Sequence, residues 1–457
     1  MQLSWIHDAR KRFDKVFPAE SLRKRFTVGV SWVMSGSLFR QAASFLAGIY
    51  VARILGVADF GKLAIIQSTV LMVSNFGQAG IGLSTTKYVA STRSTDPERA
   101  GRIIGFSLTF ACVSSLLAGA ILVILSAPIS EKLLPGGDLS MQLGIASGWI
   151  MFEIVSLLQL RMLAGLESFR GSAHVTLYQG ILLLPVVVAG GFWGGLNGTI
   201  VAYSLVSLLG CVAGQIILWR ECRRLHIRIA FRRLWEERCI LRMSTMVWLS
   251  AIALNVTNWL VGILLARQPG GVTEFALFNA ASRFQNVLVF LPTRVFHVSV
   301  PVLANLQAEG SRRRFARVLL CAGGITMGVT VTGALLFMLF SDQLMSWYGK
   351  DFAQGGKVLG MVAVLCIVSS LWTIATAGLW AAEQSRQMLF LDIFRGFLLI
   401  SLCLAGPVAT AQGLALAHVI SYGAGVILLL LVLYRYLRQP WPAREVVSRK
   451  EQQEVAS

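Results

Sequence analysis

The chain has 457 residues, of which 55% are hydrophobic and only 14% charged, and its mean hydropathy is +0.68. Soluble domains carry about 25% charged residues, so this composition excludes a water-dissolved globular protein and places the chain in the membrane class. The formal net charge of +19 raises nucleic acid as a partner, but the basic residues sit between apolar runs, where they report membrane topology instead.

Residues 1–27 form a basic, weakly amphipathic segment in which Trp5, Ile6, Phe13 and Phe17 suit a membrane interface; no cleavable signal pattern is visible. A bilayer core of about 30 Å needs roughly 20 apolar residues per helix. Twelve such runs follow, at about 28–51, 60–82, 103–126, 140–161, 173–192, 197–219, 243–265, 276–300, 316–340, 357–381, 388–405 and 412–434. Strand alternation is absent, which argues against a β-barrel. The expectation is an all-α membrane protein of twelve transmembrane helices. With Met1 taken as cytoplasmic, 31 Lys and Arg fall on the cytoplasmic side, 6 on the other and 4 inside helices. The positive-inside rule then puts both termini in the cytoplasm, with anionic lipid headgroups as secondary contacts.

The chain contains its organising stretch twice. Asp59 and Phe60 recur as Glu274 and Phe275, and the same offset joins Arg99 to Arg314, Arg102 to Arg317 and Ser126 to Ser341. An offset longer by a single position joins Glu167 to Glu383, Arg170 to Arg386 and Gly180 to Gly396, before the first offset returns for Gly198 and Gly413. Six helices per copy is an even number, so the copies are parallel repeats, with a substrate site expected between them. The division expected is a segment 1–27, a lobe 28–219, a cytoplasmic linker 220–242, a lobe 243–434 and a tail 435–457. The arginine-rich linker reads as a solvated segment near anionic lipid, with a tethering surface helix as the alternative.

Pro185 and Pro292 lie inside spans and are candidate kinks. Gly144/Gly148, Gly210/Gly214 and Gly356/Gly360 permit close contact, read as internal packing rather than dimerisation, so a monomer is expected. The seven cysteines are scattered without a C-x-x-C pair, indicating neither disulfides nor a metal site. Gly56 to Leu63 imitates a phosphate loop, but Leu63 replaces the Ser or Thr that would ligate magnesium, so it reads as a helix-joining turn. No catalytic constellation is present, and an enzyme is not expected.

The informative residues are the intramembrane arginines. A charge at a helix centre costs about 2.5–3.5 kcal/mol and marks a cavity or a partner. Arg40, in the first run, and Arg283, in the eighth, lack a carboxylate one turn away and read as cavity residues. Arg294, 11 residues beyond Arg283, turns about 1100° on a straight helix, so the two share a face about 16 Å apart; Asn279, Asn286 and His297 extend that stripe, and snorkelling is the other reading of Arg294. Arg395 follows Asp392 by three residues, a spacing for an intrahelical pair. Glu153 either pairs with a cavity arginine or carries a proton. Asn255 and Asn258 share a face that suits a polar lumen, while His174 and His418 read as interfacial. Guanidinium groups match phosphate oxygens bidentately, so this set favours an anionic phosphate head over a cationic drug.

Ala52-Arg53-Ile54-Leu55-Gly56, Asp59-Phe60-Gly61, Gly80-Ile81-Gly82-Leu83-Ser84 and Lys87-Tyr88-Val89-Ala90 resemble the opening of Wzx-type polysaccharide flippases, relatives of multidrug exporters and peptidoglycan lipid flippases. Ala281-Ser282-Arg283-Phe284, Leu291-Pro292 and Pro301-Val302-Leu303 are similar to that family's eighth helix. The resemblance implies two six-helix lobes (MATE-like) around a cationic cavity, with Arg40 and Arg283 in the family's arginine positions. It implies an undecaprenyl-pyrophosphate-linked oligosaccharide as substrate, moved from the cytoplasmic to the periplasmic leaflet of a bacterial inner membrane for O-antigen or exopolysaccharide assembly. A polysaccharide polymerase and a chain-length regulator are the partners to expect. No cofactor is implied, and the pattern admits proton or sodium coupling. The alternatives are a cation-coupled multidrug exporter of the same fold and a structural assembly subunit.

Overall fold

The computed structural model describes residues 22–78, 80–132, 134, 137–231, 239–382, 384–406 and 409–438. The first 21 residues, linker residues 232–238, Glu383, Pro407 and the tail from 439 lie outside the described residues. Among the described residues every regular element is helical: α1 Leu22–Gly77, α2 Ile81–Thr92, α3 Pro97–Ile124, α4 Ser126–Lys132, α5 Ser140–Gly165, α6 Phe169–Arg224, α7 Cys239–Ala266, α8 Gly271–Leu288, α9 Phe290–Ala308, α10 Arg312–Leu339, α11 Ser341–Ser346, a 3-10 turn Lys350–Gly355, α12 Gly356–Ala381, α13 Ser385–Ala405 and α14 Ala411–Arg438. Seven of the described helices are long and apolar enough to cross a membrane, and α8 with α9 qualifies as one further span bent by 44°. Large apolar side chains point outward along them: Ile124, Leu320 and Leu339 are each 75% exposed. Such exposure is costly in water and ordinary against acyl chains.

The expected run limits and the helix limits differ where glycine or proline intervenes. The run 28–51 and the run from 60 as far as Gly77 lie on α1, broken at Gly56 (φ 72°), and Ile81 already belongs to α2. Likewise 173–192 and 197–219 lie on α6, broken at Gly195 (φ 53°), while the helix continues through Pro185. Only glycine takes such backbone angles without strain. The run 276–300 is divided at Val289. Pro292 has no N–H, and its ring excludes the carbonyl four residues earlier, that of Leu288, the last residue of α8.

Helix limits recur at the offsets seen in the sequence. Both ends of α3 and α10 are related by the offset that carries Asp59 to Glu274, and both ends of α5 and α12 by the one that carries Gly180 to Gly396. The second offset also relates the start of α6 to the start of α13, and the break at Gly195 to the start of α14.

The chain forms two compact units. Unit 1 is residues 1–47, 77–121 and 145–244; unit 2 is 48–76, 122–144 and 245–457. In unit 1 a polar row on α5 meets α6. Gln159 Nε2 donates to Gln215 Oε1 (3.0 Å), Gln179 Nε2 to Ser156 Oγ (3.0 Å) and Ser207 Oγ to Glu153 Oε2 (2.8 Å). One turn before Glu153, Trp149 stacks on Tyr203 at 4.6 Å. A Cβ at Gly210 would strike the Gln179 amide and one at Gly214 the Gln159 amide, so this glycine pair makes room for side chains inside the unit. Beyond α6, Ile227–Phe231 runs non-helically along α3, where Ala230 N–H donates to Gly101 O at 3.2 Å. A Cβ at Gly101 would collide with Arg228 O and one at Gly105 with Ala230 O. The start of the linker is therefore seated on a glycine groove of α3.

Unit 2 has a core built from Leu303, Phe315, Leu379, Leu391, Leu429 and their neighbours. Phe60 meets Tyr348 and Phe352 edge-on at 6.1 and 5.6 Å. The repeated acidic position does two different jobs in this unit. Asp59 accepts from Lys62 Nζ (2.9 Å), whereas Glu274 accepts the first N–H of α14, at Ala411 (2.6 Å), where an anion complements the helix dipole. Outside the spans, Asp138 accepts from Ser140 N–H (2.9 Å) at the start of α5, and the hydrogen bonds from Ser140 hold its carboxyl below the usual range.

Filling the α3 groove tests the seat of the linker. Gly105→Val is expected to destabilise by about 1–3 kcal/mol, the range for overpacking. Gly328→Ala on α10, where an added Cβ meets nothing within 4 Å, should hold or raise the thermal midpoint of the purified protein, since alanine is the better helix former.

Candidate functional site

The four arginines of the apolar runs have three kinds of neighbour: a carboxylate, an amide and aromatic rings. In unit 1, Arg40 lies on α1 with its backbone against Gly180, and its Nη2 stands 3.9 Å from Glu153 Oε1. The side chains are 37% and 20% exposed. Glu153 thus meets an arginine, one of the two roles expected for it.

In unit 2, Arg283 extends from α8 toward Gly48. Its Nη2 donates to Gln67 Oε1 at 3.0 Å, and its guanidinium stands 5.6 Å from the Phe60 ring centre. A side chain at position 48 would occupy the space of that guanidinium. Arg294 lies beyond the 44° bend, on α9, so the single straight stripe expected for Arg283, Asn286 and Arg294 is broken by the Pro292 constraint. Its guanidinium is 4.6 Å from the Phe290 ring, and its buried Nε has no hydrogen-bond partner among the described residues. Asn286 is exposed near the end of α8.

Arg395 and Asp392 are both buried on α13, 3% and 7% exposed. The Arg395 guanidinium lies 4.1 Å from the Tyr422 ring and 5.6 Å from that of Trp372, and its carbonyl accepts from Ser421 Oγ (2.9 Å). Stacking on aromatic faces suits a planar, weakly hydrated cation. Asn255 Oδ1 accepts from Asn75 Nδ2 (3.2 Å), and its own Nδ2 donates to Ala251 O (2.7 Å).

Asn258, exposed, borders a cavity of about 190 Å³ within unit 2, with Ser282, Gln285, His418 and Tyr422 as further polar lining. His418 is therefore buried within unit 2. Its ring lies 5.6 Å from that of Phe278, and its Nδ1 is 3.0 Å from Leu414 O, which can only accept. His174 is exposed, beside Trp32. No group of three or more His, Cys, Asp or Glu that could hold a metal occurs among the described residues.

The sequence profile of the family described as polysaccharide biosynthesis protein matches residues 26–307, more than half of the chain. The chain belongs to this family. It is similar to the EPS I polysaccharide export inner membrane protein EpsE of Ralstonia nicotianae, 25% identical over 365 residues that cover 76% of this chain and 80% of that protein. It is also similar to the lipid III flippase of Escherichia coli strain K12, 23% identical over 288 residues covering 60% and 66%. Its fold matches a MATE family multidrug resistance transporter of the MOP superfamily in an inward-facing conformation, with a TM-score of 0.70 at 15% identity, covering 90% of this chain and 98% of that one. A MOP superfamily transporter from Pyrococcus furiosus, described as having a binding pocket of reverse polarity, matches with a TM-score of 0.67 at 14% identity over 90% and 95%. At these identities the solved structures speak for the fold.

The partners Gln67, Ser207, Trp372 and Tyr422 escape a reading from sequence. None lies one helical turn from the arginine or glutamate it serves. The signal for Gln67 and Ser207 is their polarity inside apolar runs; the two aromatics carry none.

Removing a ring from beneath Arg395 tests the stacking. Tyr422→Leu should destabilise by about 2 kcal/mol, since it takes the nearer of two rings from a buried guanidinium. Adding Arg395→Met to that variant should recover part of the loss, because the two groups are coupled. Thermal midpoints of the single and double variants check both signs.

Proposed function

We propose that this protein is a flippase that moves an undecaprenyl-pyrophosphate-linked oligosaccharide from the cytoplasmic to the periplasmic leaflet of the bacterial inner membrane, for O-antigen or exopolysaccharide assembly. The reading extends to twelve spans in two parallel six-helix repeats, with both termini cytoplasmic. Support for the repeats comes from helix limits that recur at the offsets of the sequence repeat. Support for the higher count comes from α1 and α6, each of 56 residues with a glycine break that separates two apolar runs.

The observation that carries the anionic substrate is the loose pairing of Arg40. A closed charge-assisted hydrogen bond spans about 2.7–2.9 Å, whereas Arg40 and Glu153 stand 3.9 Å apart with the arginine partly accessible. Its donor fork is available to an incoming phosphate. Arg283, steadied by the neutral amide of Gln67, is the second phosphate ligand; Arg294, Asn255, Asn258 and Asn286 complete the proposed binding set.

A glycan head needs such a route. Moving each hydroxyl into hydrocarbon without a partner costs roughly 2–7 kcal/mol, while the lipid tail stays in the bilayer. Outward movement of negative charge across an inside-negative membrane gains about 2.3 kcal/mol per charge per 100 mV, so the potential itself favours export by alternating access. Proton or sodium coupling, a polymerase and a chain-length regulator remain part of the proposal.

The second reading, a cation-coupled multidrug exporter, is favoured by the likeness to MATE transporters, which concerns the fold. The excess of arginine over carboxylate in the apolar runs, with Arg40, Arg283, Arg294 and Arg395 against Glu153 and Asp392, speaks against a cationic cargo.

Arg40→Glu and Arg283→Glu are each expected to abolish surface polysaccharide in a complemented deletion strain while the protein still accumulates in the membrane. Full export by both variants, or altered drug resistance with normal glycan in the deletion strain, would transfer the assignment to the exporter reading.

A further inference from the structure

The two oxygens of Glu153 are used differently. Oε2 accepts the Ser207 hydroxyl at 2.8 Å, and Ser207 is itself buried. Oε1 faces Arg40 Nη2 from 3.9 Å. The frame around them is tight. Trp149 stacks on Tyr203 one turn before Glu153 and Ser207, and a Cβ at Gly180 would press on Phe39 and on the backbone of Arg40 at 2.9–3.3 Å. The carboxylate is therefore tied back by Ser207 and kept short of closing on the guanidinium.

This arrangement has a physical use. A guanidinium within the spans needs a compensating partner whenever no substrate is bound, because an uncompensated charge there is costly, and for Arg40 that partner is a carboxylate. A fully closed pair would meet that need but would have to be broken in every cycle. A carboxylate held too far off to close compensates the charge without consuming the donors of Arg40.

Building on the flippase reading, we propose that Glu153 is a place-holder for the substrate phosphate. It partners Arg40 in the empty transporter and yields to a multiply charged head group, which has more oxygens and more charge to offer the fork. It then takes Arg40 back as the head group leaves. Glu153 thus lowers affinity for anions in general and sets the preference for a pyrophosphate over a monophosphate; Ser207 is the positioning residue that keeps it from closing.

The test uses full-length protein in lipid nanodiscs, with farnesyl pyrophosphate and farnesyl monophosphate as probes, titrated calorimetrically. Glu153→Gln should bind both probes more tightly, by about three- to tenfold for the pyrophosphate, and should narrow the ratio between them. Ser207→Ala should act in the opposite direction, weakening both, because the released carboxylate closes on Arg40. Either variant decides the matter if the other does not accumulate. Arg40→Gln should weaken pyrophosphate binding and remove the effect of Glu153→Gln in the double variant. If Glu153→Gln is neutral or weakening while Arg40→Gln still costs affinity, the place-holder is overturned and the anion site stands. If Arg40→Gln leaves pyrophosphate binding intact, the anion site falls and takes the place-holder with it.

Discussion

A bilayer offers no water to a guanidinium, and the interior of this protein is arranged around that constraint. Arg40 stands opposite a carboxylate held at a distance, Arg283 is tied to an amide oxygen, and Arg294 and Arg395 lie against aromatic rings. These solutions differ in how easily they release the cation. Aromatic faces compensate charge without using the in-plane donors. An amide occupies one donor and leaves the rest of the fork. A tied-back carboxylate compensates the most charge yet still yields to a stronger anion. The arginines therefore differ in how many donors they leave uncommitted, although hydropathy treats them alike.

The same constraint shapes the packing. Within unit 1 the amide nitrogens of Gln159 and Gln179 donate to an amide oxygen and to a hydroxyl, and glycines on α6 make room for these side chains. The glycines of α3 receive a stretch of backbone that continues the chain from α6, and Ala230 N–H finds an acceptor there. In both places the missing Cβ brings a polar group close enough to bond where lipid could not serve it. Glycine in this chain is less a point of looseness than a means of satisfying polar atoms.

Fold class was legible in the sequence because twenty-residue apolar runs have few stable outcomes in a bilayer. The recurring offset was legible too, and several helix limits recur at it, among them the starts of α4 and α11 at Ser126 and Ser341. The arginines announced themselves by being costly where they stand. Their partners did not: Ser207 is 54 residues from Glu153 and Gln67 is 216 from Arg283, so no helical period connects them. His418 is buried within unit 2, where Phe278 and the α14 backbone give its ring partners.

By itself, then, the sequence determined an α-helical membrane chain with arginines inside its apolar runs, because hydrophobic length and charge cost are local properties. Only the tertiary structure decided that Pro292 ends one helix and opens another, separating Arg283 from Arg294 by a bend. It also decided that Glu153 faces Arg40 while Ser207 restrains it. Direction and distance between side chains far apart in sequence depend on how helices pack, and no residue count along the chain contains that information.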